Sequence, residues 1–160
     1  MDYKFEGAGI TEKKMNKSNK GFSLLELLIV VAIILIIATI AIPSLLRSRQ
    51  AAHEAAAVAT LRTINTAEVT YLSTANGRFG GLADLIAGAL IPPNFIPGPV
   101  SGYMFTITLD ATGSDFTVTA DPASANDGRY GYYITPDGTV RYSQVTSLAP
   151  AGSAGAPVTQ

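Results

Sequence analysis

Several residue types that often reveal a protein's chemistry are scarce or missing in this chain of 160 residues. It has no cysteine, which excludes a disulfide framework and thiolate chemistry. It has a single histidine, His53, and only 14% of its residues are charged. Lysine is absent after residue 20, where six arginines face nine acids, so no basic patch indicates nucleic-acid binding.

The apolar residues are concentrated in one segment near the N-terminus. Every residue from 27 to 42 is apolar except Thr39. At about 1.5 Å per residue, a helix over residues 22–42 spans roughly the 30 Å of a bilayer core. All the lysines precede this segment: Lys4, Lys13, Lys14, Lys17 and Lys20. Their position predicts that the N-terminus stays in the cytoplasm and that the rest of the chain is exported.

An amphipathic segment follows the apolar one. Residues 44–75 contain no glycine or proline, and an apolar stripe recurs there at spacings of three and four: Ala57, Leu61, Ile64, Ala67 and Tyr71. The opposite, solvent-facing side is expected to hold Arg49, Glu54, Arg62, Thr63 and Glu68. The pattern predicts one helix of about 50 residues. We expect a kink at Pro43, which has no N–H to donate to the carbonyl of Thr39.

The hydrophobic period changes to two in the second half of the chain. Four short sets of alternating apolar residues are separated by turn formers, at 105–109, 116–120, 130–134 and 140–142. A short helix is predicted within residues 82–90, and a flexible tail over residues 148–160. The expected fold is therefore α+β, with a long N-terminal helix packed against a small antiparallel sheet of about four strands.

The most informative segment lies at the start of the apolar run and reads Lys20-Gly21-Phe22-Ser23-Leu24-Leu25-Glu26-Leu27. A charged glutamate deep in a bilayer costs about 2.5–3.5 kcal/mol, so a simple membrane anchor would have no use for Glu26. The segment resembles the class III signal of type IV pilins and type II secretion pseudopilins. This resemblance extends over residues 20–43.

The resemblance implies a processing step and an assembly contact. A prepilin peptidase and N-methyltransferase is expected to cleave after Gly21 and to methylate the new amino group of Phe22. Glu26 is then expected to pair with the Phe22 amine of a neighbouring copy. The implied parts are a leader at 1–21, a transmembrane and polymerisation helix at 22–43, a globular domain at 44–147 and the tail at 148–160. Whether translation starts at Met1 or Met15 is left open.

The function implied is a structural subunit of a type IV pilus-like filament, and not an enzyme. Its expected partners are other copies of the chain, minor pilins, an assembly platform in the bacterial inner membrane, and lipid before assembly. A pseudopilin of a type II secretion system, whose short filament drives protein export, stays open as the alternative. A signal-anchored enzyme or binding protein is less favoured, because no nucleophile–base set appears and Gly21 and Glu26 would be unexplained.

Two departures and one metal hypothesis accompany the resemblance. Leu35 stands where many members have a glycine, and the C-terminal disulfide of many type IV pilins is absent. No cofactor is expected. Calcium is the one metal to consider, because the resemblance implies a C-terminal loop like the one that binds calcium in major pseudopilins. The candidate ligands are Asp121, Asn126 and Asp127. Turn chemistry explains the same residues, and His53 is expected to be solvated or at an interface.

Overall fold

The computed structural model describes residues 21–96, 98–143 and 155–158. Helix α1 occupies Leu24–Thr74, followed by the short helix α2 at Leu82–Ala87 and a 3₁₀ turn at Pro93–Phe95. The strands are β1 (Tyr103–Leu109), β2 (Phe116–Pro122), β3 (Tyr132–Ile134), β4 (Arg141–Tyr142) and β5 (Ala156–Pro157). The predicted α+β class, with a long helix and a small antiparallel sheet, is confirmed.

The chain divides into two compact units, Met1–Thr39 and Ile40–Gln160. In the first unit, the large apolar side chains of α1 are exposed along the described residues. An 18-residue window of α1 reaches a mean hydropathy of 3.1, and none of it is buried. By length and composition α1 is able to cross a membrane, a criterion that a signal sequence near an N-terminus also meets.

In the second unit, α1 packs against the sheet through one stripe of side chains. The stripe includes four apolar residues that the spacing of three and four predicts: Ala57, Leu61, Ile64 and Ala67. Tyr71 is partly buried against the same core. Burying a leucine or isoleucine completely contributes roughly 1.5–3 kcal/mol, so this stripe holds the helix to the sheet. Pro43 lies inside α1, which continues through it, and the kink stays a prediction.

The expectation that Glu54 and Glu68 face solvent is wrong. Their exposed fractions are 8% and 0%, and both belong to the buried stripe. Glu54 accepts hydrogen bonds from the backbone N–H of Arg129 at 2.9 Å and from its guanidinium Nε and Nη2 at 3.1 Å. Periodicity assigns a glutamate to the solvent side because it cannot include a partner 75 residues away in the chain.

Glu68 joins α1 to the start of α2. Its Oε2 accepts the N–H of Gly80 at 3.0 Å, while its buried Oε1 has no hydrogen-bond partner in the described part of the chain. Burial raises the pKa of Glu68, the Gly80 N–H lowers it, and the nearby charge of Asp84 raises it further, for a net increase. A Cβ at Gly80 would lie 2.8 Å from Cε1 of Tyr71 and 3.0 Å from Cβ of Asp84, so a larger residue would force these side chains to shift.

Helix α1 ends at Thr74, shortly before an Asn-Gly pair. Asn76 and Gly77 both adopt left-handed conformations, with φ of 53° and 76°. The N–H of Gly77 donates to the carbonyl of Leu72 at 3.1 Å. This bond satisfies one of the last carbonyls of the helix and turns the chain toward α2.

The sheet is antiparallel, with the spatial order β1-β2-β3-β4-β5. In its register, Phe105 faces Ala120 and Ile107 faces Val118, which places the alternating apolar residues on one side. The buried residues on this side are Tyr103, Phe105, Phe116, Val118, Ala120, Tyr132 and Ile134. This apolar face covers the buried stripe of α1, as the period-two pattern predicts.

The sheet has one strand more than the four predicted. The additional strand, β5, falls within the predicted tail at 148–160 and pairs antiparallel with β4. The N–H of Val158 extends the pairing by donating to the carbonyl of Val140 at 2.9 Å. A strand of two residues has no period, so the sequence pattern does not reveal it. The edge of β4 decides the pairing, because its backbone groups need partners.

Glu68→Gln provides a test of the buried carboxyl. The amide keeps an acceptor for the Gly80 N–H but cannot ionise. Because the folded-state pKa of Glu68 is raised, ionisation costs the wild-type chain stability as the pH rises above the ordinary value of 4.5. We expect the variant to gain free energy of unfolding relative to wild type between pH 4 and pH 7. The measurement is urea unfolding of the full chain in detergent, followed by circular dichroism.

The control for this prediction is Glu68→Ala, which leaves the Gly80 N–H without its acceptor. It should lose about 1–3 kcal/mol of unfolding free energy even at acidic pH. A difference between Glu68→Gln and wild type that does not change with pH would contradict the raised pKa.

Candidate functional site

The start of α1 has a reciprocal set of backbone and side-chain hydrogen bonds. Ser23 precedes the first helical residue, and its hydroxyl accepts the N–H of Leu25 at 3.3 Å. In return, Oε2 of Glu26 accepts the backbone N–H of Ser23 at 2.9 Å. The carbonyl of Ser23 accepts the N–H of Leu27 at 3.2 Å. These bonds form a variant of the capping box, in which the Ser23 hydroxyl accepts the N–H of the second helical residue instead of the third, and two residues satisfy free donors at a helix start.

The capping box places the carboxylate of Glu26 at the positive end of the helix. Backbone N–H groups in a first helical turn have no intrahelical acceptor, and the helix dipole favours an anion there. The carboxylate is therefore partly satisfied by its own chain. Among the described residues Oε1 of Glu26 has no hydrogen-bond partner, so it stays open to a donor from another molecule.

The sequence analysis identified Glu26 but missed the role of Ser23. The spacing Ser-x-x-Glu before an apolar run is the usual pattern of a capping box and would have revealed it. In this uncleaved chain the partner of Glu26 is the Ser23 N–H, since Phe22 has no free amine. The Phe22 side chain is 81% exposed and lies directly beside the capping box.

Gly21 lies in open space. A Cβ built on Gly21 would have no atom of the described residues within 4 Å, and Gly21 is not among the residues with a left-handed backbone. The fold of the described chain therefore does not require a glycine here. A requirement for glycine at position 21 would have to come from a molecule that approaches the backbone.

Two of the three calcium candidates, Asn126 and Asp127, are engaged in turn contacts. The carboxylate of Asp127 accepts the Ser124 hydroxyl at 2.6 Å and lies 3.5 Å from Nδ1 of His53. The N–H of Asn126 donates to Oγ of Ser124 at 3.3 Å, and Asp121 lies in β2. Within the described ranges, no three His, Cys, Asp or Glu residues are placed to hold a metal ion. Calcium binding stays an untested prediction, and His53 packs against this turn.

A cleft of about 550 Å³ lies in the second unit between α1 and the last strands. It is bordered by Ala51, Glu54, Ala55, Val58, Arg62, Tyr130, Tyr132, Tyr142, Pro157 and Val158. The carboxylate of Glu54 is paired with Arg129, and burial raises the pKa of Tyr132, which keeps its phenol protonated. The cleft residues therefore include no activated nucleophile with a base beside it.

Comparison with known protein families concerns the start of α1 and the residues just before it. Residues 16–42 match the prokaryotic N-terminal methylation motif. The chain has a prepilin-type signal. This is the cleavage and methylation signal of type IV pilins and pseudopilins, which are structural proteins. No curated protein and no solved structure matches the chain. The prepilin-type signal contains Gly21, Phe22, Ser23 and Glu26.

Gly21→Val should leave most of the chain as uncleaved precursor. A Cβ at position 21 meets no atom of the described residues within 4 Å, so a loss of cleavage would reflect a clash with the peptidase and not misfolding of the described domain. Mass spectrometry of chains co-expressed with a prepilin peptidase should show wild type beginning at N-methylated Phe22. The control Leu28→Val, further along the same exposed helix, should mature normally. Normal maturation of Gly21→Val would rule out this cleavage site.

Proposed function

We propose that this chain is a structural subunit of a type IV pilus-like filament that assembles from a pool in the bacterial inner membrane. The main support is one arrangement. A prepilin-type signal leads into an exposed apolar helix, and the only carboxylate in that apolar segment is held at the helix start, with one oxygen unpartnered among the described residues. A plain membrane anchor needs none of these features except the apolar helix.

Cleavage after Gly21 supplies the missing donor. The new amine of Phe22 is a cation at a helix N-terminus, where the helix dipole disfavours positive charge. Glu26 of a neighbouring subunit offers a carboxylate with an open Oε1. Pairing the two neutralises both charges among apolar side chains, where an unpaired charge is costly. The pair also sets the axial register of the incoming subunit.

The exposed apolar side chains of α1 supply the remaining contact surface. Lipid tails are as apolar as leucine, so transfer of α1 from lipid to a bundle of helices gains little from the hydrophobic effect alone. Side-chain packing and the single polar pair therefore have to select the partner. Glu26 acts in this proposal as an assembly selector and not as a catalytic acid.

A pseudopilin of a type II secretion system is the second candidate for the same site. It would use the same processing step and the same charge pair to build a short filament that drives export. Electron microscopy of cells that express the tagged chain separates the two functions. Long surface filaments that contain the chain support the pilus. The absence of such filaments supports the pseudopilus if cells without the chain also lose protein export.

The proposed topology places the N-terminus in the cytoplasm and the folded domain outside it. Alkaline phosphatase fused after Gln160 should be active, because that enzyme works only after export, whereas a fusion before Met1 should be inactive. The five lysines before Phe22 are the physical reason for this orientation. Phosphatase activity from the N-terminal fusion alone would contradict the proposed assignment.

Glu26→Val should abolish filament assembly without removing the subunit from the membrane. Insertion becomes easier by about 2.5–3.5 kcal/mol because a membrane-buried charge is lost, and cleavage should persist because Gly21 is unchanged. Each added subunit would then bury an unpaired ammonium group. The experiment expresses each variant as the only copy and compares the membrane pool with sheared filament. Glu26→Gln should be intermediate at best.

Ser23→Ala is the matched control for the charge pair. It removes the hydroxyl cap, worth about 0.5–2 kcal/mol of helix stability, and keeps the carboxylate. Its filament yield should stay close to wild type. Wild-type yield from Glu26→Val would refute charge pairing, and equal losses from both variants would assign the effect to capping. Loss of the membrane pool in Glu26→Val would mean that Glu26 acts on insertion or stability.

A further inference from the structure

Two arginines follow directly on the exposed apolar part of α1. Leu45 and Leu46, the last large apolar residues of that run, are 69% and 44% exposed. Arg47 and Arg49 come next, and both are exposed. The helix surface therefore changes from apolar to cationic within one turn.

Neither arginine is paired within the part of the chain that the structure describes. Arg129 and Arg141, in contrast, form ion pairs with Glu54 and Asp137 at 3.1 and 2.6 Å. No ion pair or side-chain hydrogen bond to Arg47 or Arg49 is present among the described residues. Their guanidinium groups are therefore free to bind an anion from outside the chain.

The folded domain contacts α1 immediately after these arginines. Nε2 of Gln50 donates to the carbonyl of Ala125, in the turn between β2 and β3, at 2.9 Å. From Leu46 to Gln50 the helix rises about 6 Å. The headgroup region of a bilayer adds roughly 5–7 Å on each side of its hydrocarbon core. The stretch of helix with Arg47 and Arg49, between the apolar run and the domain, is thus about as long as the headgroup region is thick.

We propose that Arg47 and Arg49 bind the phosphates of anionic phospholipids and set the depth of α1 in the membrane. A guanidinium group offers a planar fork of donors that suits phosphate oxygens, and its aliphatic stem packs against apolar surface. The partner is the membrane surface, because the apolar run that ends at Leu46 already faces lipid in the proposed membrane pool. This inference rests on the proposed function and adds a lipid-binding site to it.

The test measures how readily residue 48 meets water. Ser48→Cys is placed in the full chain, which has no other cysteine, and the chain is reconstituted in vesicles of phosphatidylethanolamine and phosphatidylglycerol. A membrane-impermeant maleimide then labels the cysteine. Arg47→Gln together with Arg49→Gln should slow labelling roughly ten-fold or more, because Leu45 and Leu46 then pull the helix end deeper. In vesicles of phosphatidylcholine alone this ratio should shrink toward one.

Matched variants separate the proposal from its alternatives. Arg62→Gln with Arg78→Gln removes the same charge from two other exposed arginines and should leave the labelling rate unchanged. Arg47→Lys with Arg49→Lys should restore most of the wild-type rate. An unchanged rate in the Arg47 and Arg49 variant, an equal slowing in the control pair, or the same ratio in both lipids would overturn the proposal.

Two further outcomes identify where a failure lies. Free glycerol phosphate at constant ionic strength should not change the labelling rate of the chain with the wild-type arginines. If that rate falls to the rate of the Arg47→Gln and Arg49→Gln variant, the site binds small anions, which would refute a membrane-surface site. Release of the chain by alkaline carbonate would instead contradict the membrane pool of the proposed function. The labelling ratio is therefore interpreted only after the carbonate step shows the chain retained, so the two proposals fail in different measurements.

Discussion

Helix α1 has to satisfy polar groups in two different surroundings, and the rest of the structure depends on how it does so. Its first part exposes apolar side chains and has one carboxylate, Glu26, which caps the start of the helix. Its second part buries one stripe against a sheet and includes two more carboxylates, Glu54 and Glu68. Each of the three accepts at least one backbone N–H, a group that is costly to leave unsatisfied when it is buried.

The exposed apolar part of α1 is unfavourable for a monomer of this chain in water. A helix that is apolar on all sides needs lipid or other helices around it. The proposed function provides for both surroundings in turn, since in it the same residues face lipid before assembly and other copies in the filament. In the same proposal, the carboxylate of Glu26 gives this apolar contact surface one specific geometry.

The two buried carboxylates fix the domain on the second part of α1. Glu54 fastens the turn between β2 and β3 through Arg129, and Glu68 fastens the start of α2 through Gly80. Removal of a partner that leaves one of these buried carboxylates unsatisfied is costly. Their effect here is to define which loop lies at which height along α1. Gln50 adds a contact of the same kind at the end nearest Arg49.

Much of this protein was determined by its sequence alone, because the relevant signals are local. The apolar run, the alternating strands and the segment from Gly21 to Glu26 depend on composition and on periods of two and 3.6, which short-range sterics and burial impose. The capping box is equally local and could have been predicted from Ser23 and Glu26. What only the tertiary structure decided depends on distant partners. Glu54 and Glu68 are buried because loops far along the chain return to them, and β5 forms because the edge of β4 needs backbone partners. Periodicity records how often a side chain meets the core and contains no information about which distant group will bind it there.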